Sequence, residues 1–238
     1  MLKTISEAVF SLVFPVSCEL CEAFLPSGGL QGICQNCQKS LSRLTPPCCA
    51  GCGRAASKDG ERCGHCRNED FHFDRAYACT YYDDKMKKLL HAFKFERRRF
   101  LLPFFANLMK DFADRHLPKD SWDRLVPVPM NSVHERERGF NQARLLSATL
   151  AQSSGKAHAS GALGCRGTGA MQSSLKRSER KRNAEGRFFV QKPGSIASGR
   201  VLLVDDILTT GHTASACAKA LKDAGAKTVT VLALARGI

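Results

Sequence analysis

The sequence predicts an α/β protein: a parallel sheet flanked by helices, with a cysteine-rich module in front of it. Three observations carry this expectation. Residues 200–206 (RVLLVDD) form a continuous apolar run ending in two acids, the pattern of a central parallel strand buried on both faces. A helical stretch at 213–223 and a strand-like run at 228–235 follow, and strand, helix, strand in that order implies a right-handed βαβ unit. Eight cysteines fall before residue 67 as four C-x-x-C pairs, with Cys48 among them and only Cys79, Cys165 and Cys217 beyond. That split sets a metal module apart from a cysteine-poor domain.

The remaining elements follow in chain order. Residues 1–17 read as a short amphipathic helix ending at Pro15, and residues 18–70 as a Cys- and Gly-rich module with little periodicity. Residues 74–83 (DRAYACTYYD) have the β-branched and aromatic character of a strand. Residues 84–116 carry apolar positions at helical spacing (Leu89, Leu90, Phe93, Leu101, Leu102, Phe105, Leu108, Phe112), and Pro103 opens a second helix there. Residues 124–129 (RLVPVP) are a buried strand entering a proline-stiffened loop. Residues 141–152 form a helix with Asn141 as N-cap. Residues 164–187, polar, basic and Gly/Ser-rich, form a long loop, and loops of that length are usually functional or disordered. Gly225 suits the stop of the 213–223 helix. The domain division is therefore 1–17, 18–70 and 71–238.

Composition narrows the function classes. A hydrophobic content of 43% excludes a disordered chain. The excess of 36 Lys and Arg over 22 Asp and Glu, a net +14, favours anionic partners: phosphates, nucleic acid or an acidic membrane surface. Lys3 and the apolar stretch Ala8 to Val16 mimic an export signal, but Glu7 and Pro15 shorten the stretch, no small-residue cleavage site follows, and Cys18 belongs to a C-x-x-C pair. No run reaches the roughly 18 apolar residues that span a bilayer. A soluble, cytoplasmic protein without a membrane span is expected.

The cysteines form two sets, Cys18-x2-Cys21-x12-Cys34-x2-Cys37 and Cys49-x2-Cys52-x10-Cys63-x2-Cys66. A C-x-x-C turn presents two thiolates to one ion, and Zn²⁺ takes four such ligands in a tetrahedron. Two structural zinc sites follow, closed because four thiolates leave no position for water. Sequential and cross-braced pairing use the same residues, and Cys48 competes with Cys49 for one position.

The chain's sharpest chemistry lies at Asp205-Asp206-Ile-Leu-Thr209-Thr210-Gly211-His212-Thr213. A buried strand delivers two carboxylates to the carboxyl edge of a sheet, where ligands bind in open α/β folds. The Thr- and Gly-rich turn then enters a helix, whose N-terminal N–H groups favour an anion. Paired acids beside a phosphate cradle suit a ribose 5-phosphate.

This run resembles the phosphoribosyl-pyrophosphate (PRPP) signature of type I phosphoribosyltransferases. The wider chain resembles the ComF-like branch of that superfamily, which is associated with competence and the uptake or use of DNA. The matching pieces are the cysteine-rich start, Leu90-His-Ala-Phe-Lys94-Phe, Val126-Pro-Val-Pro129, Arg138-Gly-Phe-Asn-Gln142, Gln172-x-x-Leu175 with Arg180-x-x-Asn183, and Asp205–Thr213. The resemblance implies a type I phosphoribosyltransferase-like sheet in which Asp205 and Asp206 bind the ribose 2′- and 3′-hydroxyls. Thr209, Thr210, Gly211, His212 and Thr213 would hold the 5′-phosphate. Val128, Pro129 and the residues to Ser132 would form the pyrophosphate loop, helped by Arg136 and Arg138, with Mg²⁺ entering alongside PRPP. The basic loop at 166–187 would close over the ligand or contact nucleic acid. Phosphoribosyl transfer needs an oxocarbenium-like transition state and no covalent nucleophile. His212 reads as a loop residue, and no general base is visible.

Two functions follow: transfer of phosphoribose from PRPP to an acceptor, or a nucleic-acid-handling adaptor that keeps the PRPP site as a ligand sensor. Single-stranded DNA or DNA-uptake proteins are the expected partners of the second. With one Trp and three Tyr, no base-stacking platform is legible. A homodimer is a further expectation from the resemblance.

Overall fold

The computed structural model describes residues 17–25, 32–166 and 186–237. The helix expected over 1–17 lies, apart from Ser17, outside these residues, as do Gln172, Leu175, Lys176, Arg177, Arg180, Lys181, Arg182 and Asn183 of the basic loop.

Among the described residues the metal module contains one short helix, α1 (Gln35–Lys39). Strand β1 (Arg75–Tyr81) then leads into α2 (Asp84–Phe95), whose N-cap Asp83 accepts the Met86 N–H at 3.0 Å. A 3₁₀ turn at Arg99–Leu101 precedes α3 (Leu102–His116), and Pro103 stands in its first turn, where a missing N–H costs nothing. Strand β2 (Arg124–Pro127) is followed by α4 (Ser132–Arg138) and α5 (Gln142–Ser154), the latter capped by Asn141. Short strands β3 (Ala157–His158), β4 (Leu163–Cys165) and β5 (Phe188–Val190) come next. The chain closes with β6 (Arg200–Leu208), α6 (His212–Asp223) and β7 (Thr228–Arg236).

Five strands form one parallel sheet in the order β1-β7-β6-β2-β3. The strand expected to stop at 206 runs on to Leu208, so Asp205 lies inside the ladder opposite Ala233. Of the loop expected at 164–187, Gly164 and Cys165 belong to β4, which pairs antiparallel with β5, and 167–185 lie outside the described residues. That pair and β3 are two or three residues per strand, too short to show alternation. Helix α4 was equally illegible: it buries no residue, so its sequence carries no apolar stripe.

Alternation along β6 divides the core. Leu202 and Val204 face α2, α3 and α5 with Leu89, Phe93, Phe105, Leu146 and Leu150. Val201 and Leu203 face the opposite side with Cys217, Ala218 and Leu221 of α6.

The metal module straddles the β1 edge of this sheet. Cys18, Leu25, Ile33 and Leu41 join the α2–α3 face, whereas Cys49, Cys52, Cys66 and Phe71 join the α6 face. The segment between them runs antiparallel along β1: Leu44 N–H donates to the Cys79 carbonyl and Tyr81 N–H to that of Ser42, both at 2.9 Å. An exposed row of strand amides is thereby covered.

Candidate functional site

Strand β6 carries both acids toward the carboxyl edge of the sheet. The backbone N–H of Asp206 donates to Asp205 Oδ1 at 2.8 Å. Lys94 Nζ, from the last turn of α2, meets Asp206 Oδ2 at 2.6 Å, with the two side chains only 13% and 15% exposed. Burial and the neighbouring Asp206 charge push the Asp205 carboxyl up to about 8, against the pull of Lys94. The site thus holds two carboxyls with one cation between strand and helix. Lys94 was missed as a site residue. Its only trace in the sequence was its place in Leu90–Phe95, and the fold alone brings α2 to β6.

The turn after β6 rises to Gly211, the N-cap of α6, at φ +82°. Thr209 is exposed and Thr210 and Thr213 are half-buried, so the hydroxyl-bearing turn lines the opening while α6 presents its first N–H groups there. Gly211 is needed for two reasons: its φ is left-handed, and a Cβ there would stand 3.0 Å from Phe71 Cε1. Gly211→Ala is expected to lower stability by about 1–2 kcal/mol and to displace the turn, measured by denaturant unfolding and phosphate titration. His212, read from the sequence as a loop residue, is instead the first residue of α6; it is buried and tilted over Phe71 with ring centroids 6.3 Å apart.

On the far side of the acids, Val128 N–H donates to the Val204 carbonyl at 2.9 Å, so the loop after β2 starts in register with β6. Buried Asn141 caps α5 and also donates from Nδ2 to the Val128 carbonyl at 3.1 Å. Val128 is buried and Pro129 half-buried. Arg138, in the last turn of α4, packs its guanidinium 4.8 Å from the Phe95 ring centroid and 3.4 Å from Gln142 Oε1. Arg136, also in α4, is exposed. The fold therefore brings Asp205, Asp206, the Thr209–Thr213 turn, the Val128 loop and Arg138 to one edge of the sheet.

The eight cysteines form two clusters, Cys18/Cys21/Cys34/Cys37 and Cys49/Cys52/Cys63/Cys66, each with all four sulfurs within 4.8 Å of one another. Pairing is therefore sequential. Cys48 is turned away, its backbone N–H and its thiol both on Asp59 Oδ1 at 3.0 and 3.7 Å. Backbone N–H groups point at the ligand sulfurs, from Cys34 to Cys18 and from Cys63 to Cys49 at 3.4 and 3.2 Å. Burial alone would raise Cys18, but N–H donors from Cys21, Cys34 and Leu20 hold it at about 6, while burial and the neighbouring sulfurs raise Cys37. Four sulfur donors packed this closely fit a thiophilic dication in closed tetrahedral coordination, the structural zinc arrangement.

The phosphoribosyl transferase domain family matches residues 146–238, and the double zinc ribbon domain family matches residues 9–67, a span that holds all eight ligands. The chain is 32% identical over 228 residues to the DNA utilization protein YhgH of Salmonella typhimurium, covering 94% of this chain and 99% of that one. The chain belongs to the ComF family. Two further relatives fit that assignment. Competence protein ComFC of Bacillus subtilis is 31% identical over 81% of this chain and 79% of its own. Competence protein F of Haemophilus influenzae is 27% identical over 86% and 90%. A solved glutamine PRPP amidotransferase from B. subtilis matches 56% of this chain and 26% of its own at 21% identity with a TM-score of 0.38, a likeness too slight to carry an argument. As a ComF family member of the type I phosphoribosyltransferase superfamily, the chain has the parallel sheet and the double ribbon expected of it. Among the described residues no helix is long and apolar enough to cross a membrane.

Proposed function

We propose that this protein binds PRPP with Mg²⁺ at the Asp205–Thr213 edge and transfers phosphoribose to an acceptor in competence-linked use of DNA. In this reading residues 18–70 hold zinc and residues 71–238 hold the ligand. The observation that carries it is the continuity of β6, turn and α6: two carboxyls are followed directly by a Thr- and Gly-rich turn and a helix N-terminus, the order that suits a ribose diol beside its 5′-phosphate. Asp205 and Asp206 orient the ring, the Thr209–Thr213 amides and hydroxyls hold the phosphate, and the Val128 loop with Arg136 and Arg138 faces the diphosphate. Mg²⁺, when bound, carries part of the leaving group's charge. A preformed set of donors and charges stabilises an oxocarbenium-like transition state without a covalent step.

Calorimetric titration of Mg-PRPP into the zinc-loaded chain tests this. Saturable binding is expected, weakened at least about a hundredfold in Asp205→Asn/Asp206→Asn by loss of charge-assisted hydrogen bonds. Equal binding by the double variant, or no binding by the wild type, would sink the reading. Pyrophosphate release with a panel of bases and amines then separates transfer from binding alone.

One observation favours a nucleic-acid role beside it. Phe95 and Phe100 are 57% and 39% exposed. Arg138 lies over Phe95 at 4.8 Å and Arg98 over Phe100 at 5.9 Å. Exposed rings flanked by guanidinium groups suit stacked bases and phosphates of a single strand. Binding of single-stranded DNA should fall steeply between 50 and 200 mM salt, and Phe95→Ala should weaken it by about 1–3 kcal/mol. A flat salt response would remove this role.

A further inference from the structure

We propose that the Cys49/Cys52/Cys63/Cys66 centre is a working part of the phosphate turn: Phe71 and Arg236 couple its metal to residues 208–213, so that zinc occupancy there sets the affinity of the turn. The identity of the ligand rests on the PRPP reading; the coupling itself does not.

Phe71 fills the space between the two. One edge of its ring, Cε2, lies 3.2 Å from where a Cβ on Gly51 would stand, and Cys66 Cβ lies 2.9 Å from the same point. Its Cε1 lies 3.0 Å from the corresponding point on Gly211. A single ring therefore touches the ribbon backbone between two zinc ligands and the N-cap of α6. Phe73 stacks on that ring at 4.8 Å and holds its plane. The next residue ties the chain down: His72 N–H donates to Ser215 Oγ in the first turn of α6 at 3.0 Å.

Arg236 makes the second link. It is 7% exposed, and its Nη1 donates to the Leu208 carbonyl at 2.9 Å and also to the Gly237 carbonyl. Cys52 and Cys66 are among its electrostatic partners. Gly237 in turn packs close to Thr209, where an added Cβ would stand 3.0 Å from Cγ2. A centre with four thiolates around one dication carries net negative charge, and a buried guanidinium beside it is an outer-shell partner of the kind that orients ligands. Here the same guanidinium fixes the carbonyl from which the phosphate turn departs.

The other centre has different neighbours. Gly32 packs on Phe100 and Leu101, Lys88 Nζ donates to the Leu20 carbonyl at 3.3 Å, and Arg98 approaches Glu19 at 3.9 Å. The Cys18 centre therefore supports the α2–α3 junction, not the turn. An anion site built from backbone amides binds in proportion to how well those amides are held beforehand. Without zinc, four thiols relax, Phe71 loses its backing and Arg236 its counter-charge.

Coupling between two sites is reciprocal, which gives the test. The zinc-loaded full-length chain is titrated with a chelator, with and without saturating Mg-PRPP. Alkylation with peptide mapping reports which cluster has lost its ion, and hydrogen exchange reports residues 208–213. Zinc at the Cys49 centre is expected to be held at least about fivefold more tightly with PRPP present, with no shift at the Cys18 centre. Its loss is expected to speed exchange in 208–213 while 88–101 stay unchanged. Arg236→Met should abolish the fivefold shift, and Arg236→Lys, which keeps charge and donors, should restore part of it; Phe71→Leu should reduce it with zinc still bound. Equal shifts at both centres, or exchange in 208–213 indifferent to zinc at the Cys49 centre, would overturn the proposal. If wild type does not bind Mg-PRPP, the PRPP reading falls, and the exchange arm alone decides the coupling.

Discussion

Replacing Lys94 with methionine is expected to weaken Mg-PRPP binding by at least about tenfold and to cost roughly 3 kcal/mol of stability. The residue is the cation at the acid pair: its Nζ lies 2.6 Å from Asp206 Oδ2 with both side chains largely out of water. Removing one partner of such a pair strands the other charge, which is costlier than never having had the pair. Lys94 also pulls down the Asp205 carboxyl, which burial and Asp206 push up to about 8. The sign of the pH effect follows. The folded state keeps a proton that the unfolded chain releases near its ordinary 3.8. The Asp205 contribution is therefore fully present below about pH 4 and is lost as pH rises toward 8. In Lys94→Met that loss should extend to higher pH, and in Lys94→Arg the profile should stay close to wild type. Denaturant unfolding from pH 4 to 9 reads the stability, and calorimetry reads the ligand. An unchanged profile in Lys94→Met would mean that the ion pair does not govern the acids.

Removing zinc is expected to have a larger structural effect still. Atomic emission should find two zinc ions per chain, one for each cluster of four sulfurs. Structural zinc binds zinc-finger peptides with about 10–16 kcal/mol that is also folding free energy, so chelation should unfold residues 18–66 before the rest. The consequence does not stop there. The ribbon supplies the antiparallel segment along β1, with Leu44 and Tyr81 in its hydrogen bonds. Without it, β1 becomes an open edge on a parallel sheet, and aggregation should follow chelation. Because the ligands bind as thiolates, lowering the pH should release zinc and bring on the same loss. Loss of zinc with no change in unfolding temperature or solubility would mean that the domain of 71–238 stands by itself.

Much of this was legible in the chain. The run from Val201 to Val204 is apolar on consecutive residues because β6 is buried on both faces, and no tertiary contact is needed to read that. Asp205, Asp206 and Thr209–Thr213 are contiguous, so the order of strand, acids, turn and helix is a property of one segment. The C-x-x-C spacing is equally local, and it named all eight ligands. Asn141 stands before the α5 pattern as N-cap, since a side chain that bonds N–H groups two or three residues on acts locally.

Other features join residues far apart, and neither spacing nor periodicity reports them. Lys94 meets Asp206, and Arg236 meets Leu208, only because parallel crossovers bring α2 and β7 beside β6. Sequential rather than crossed pairing of the cysteines depended on which C-x-x-C turns face each other. Phe95 and Phe100 fall outside the apolar positions read at helical spacing, but the cations beside them come from α4 and from the turn before α3, which no local pattern reports. The sequence by itself determined the fold class, the two sets of four cysteines and the run of acids, turn and helix, because each is written in neighbouring residues. The tertiary structure decided that the ribbon straddles the β1 edge, with one cysteine cluster behind α2 and the other behind the Thr209–Thr213 turn. That placement comes from two apolar faces competing to be covered, and it is settled only when the whole sheet is assembled.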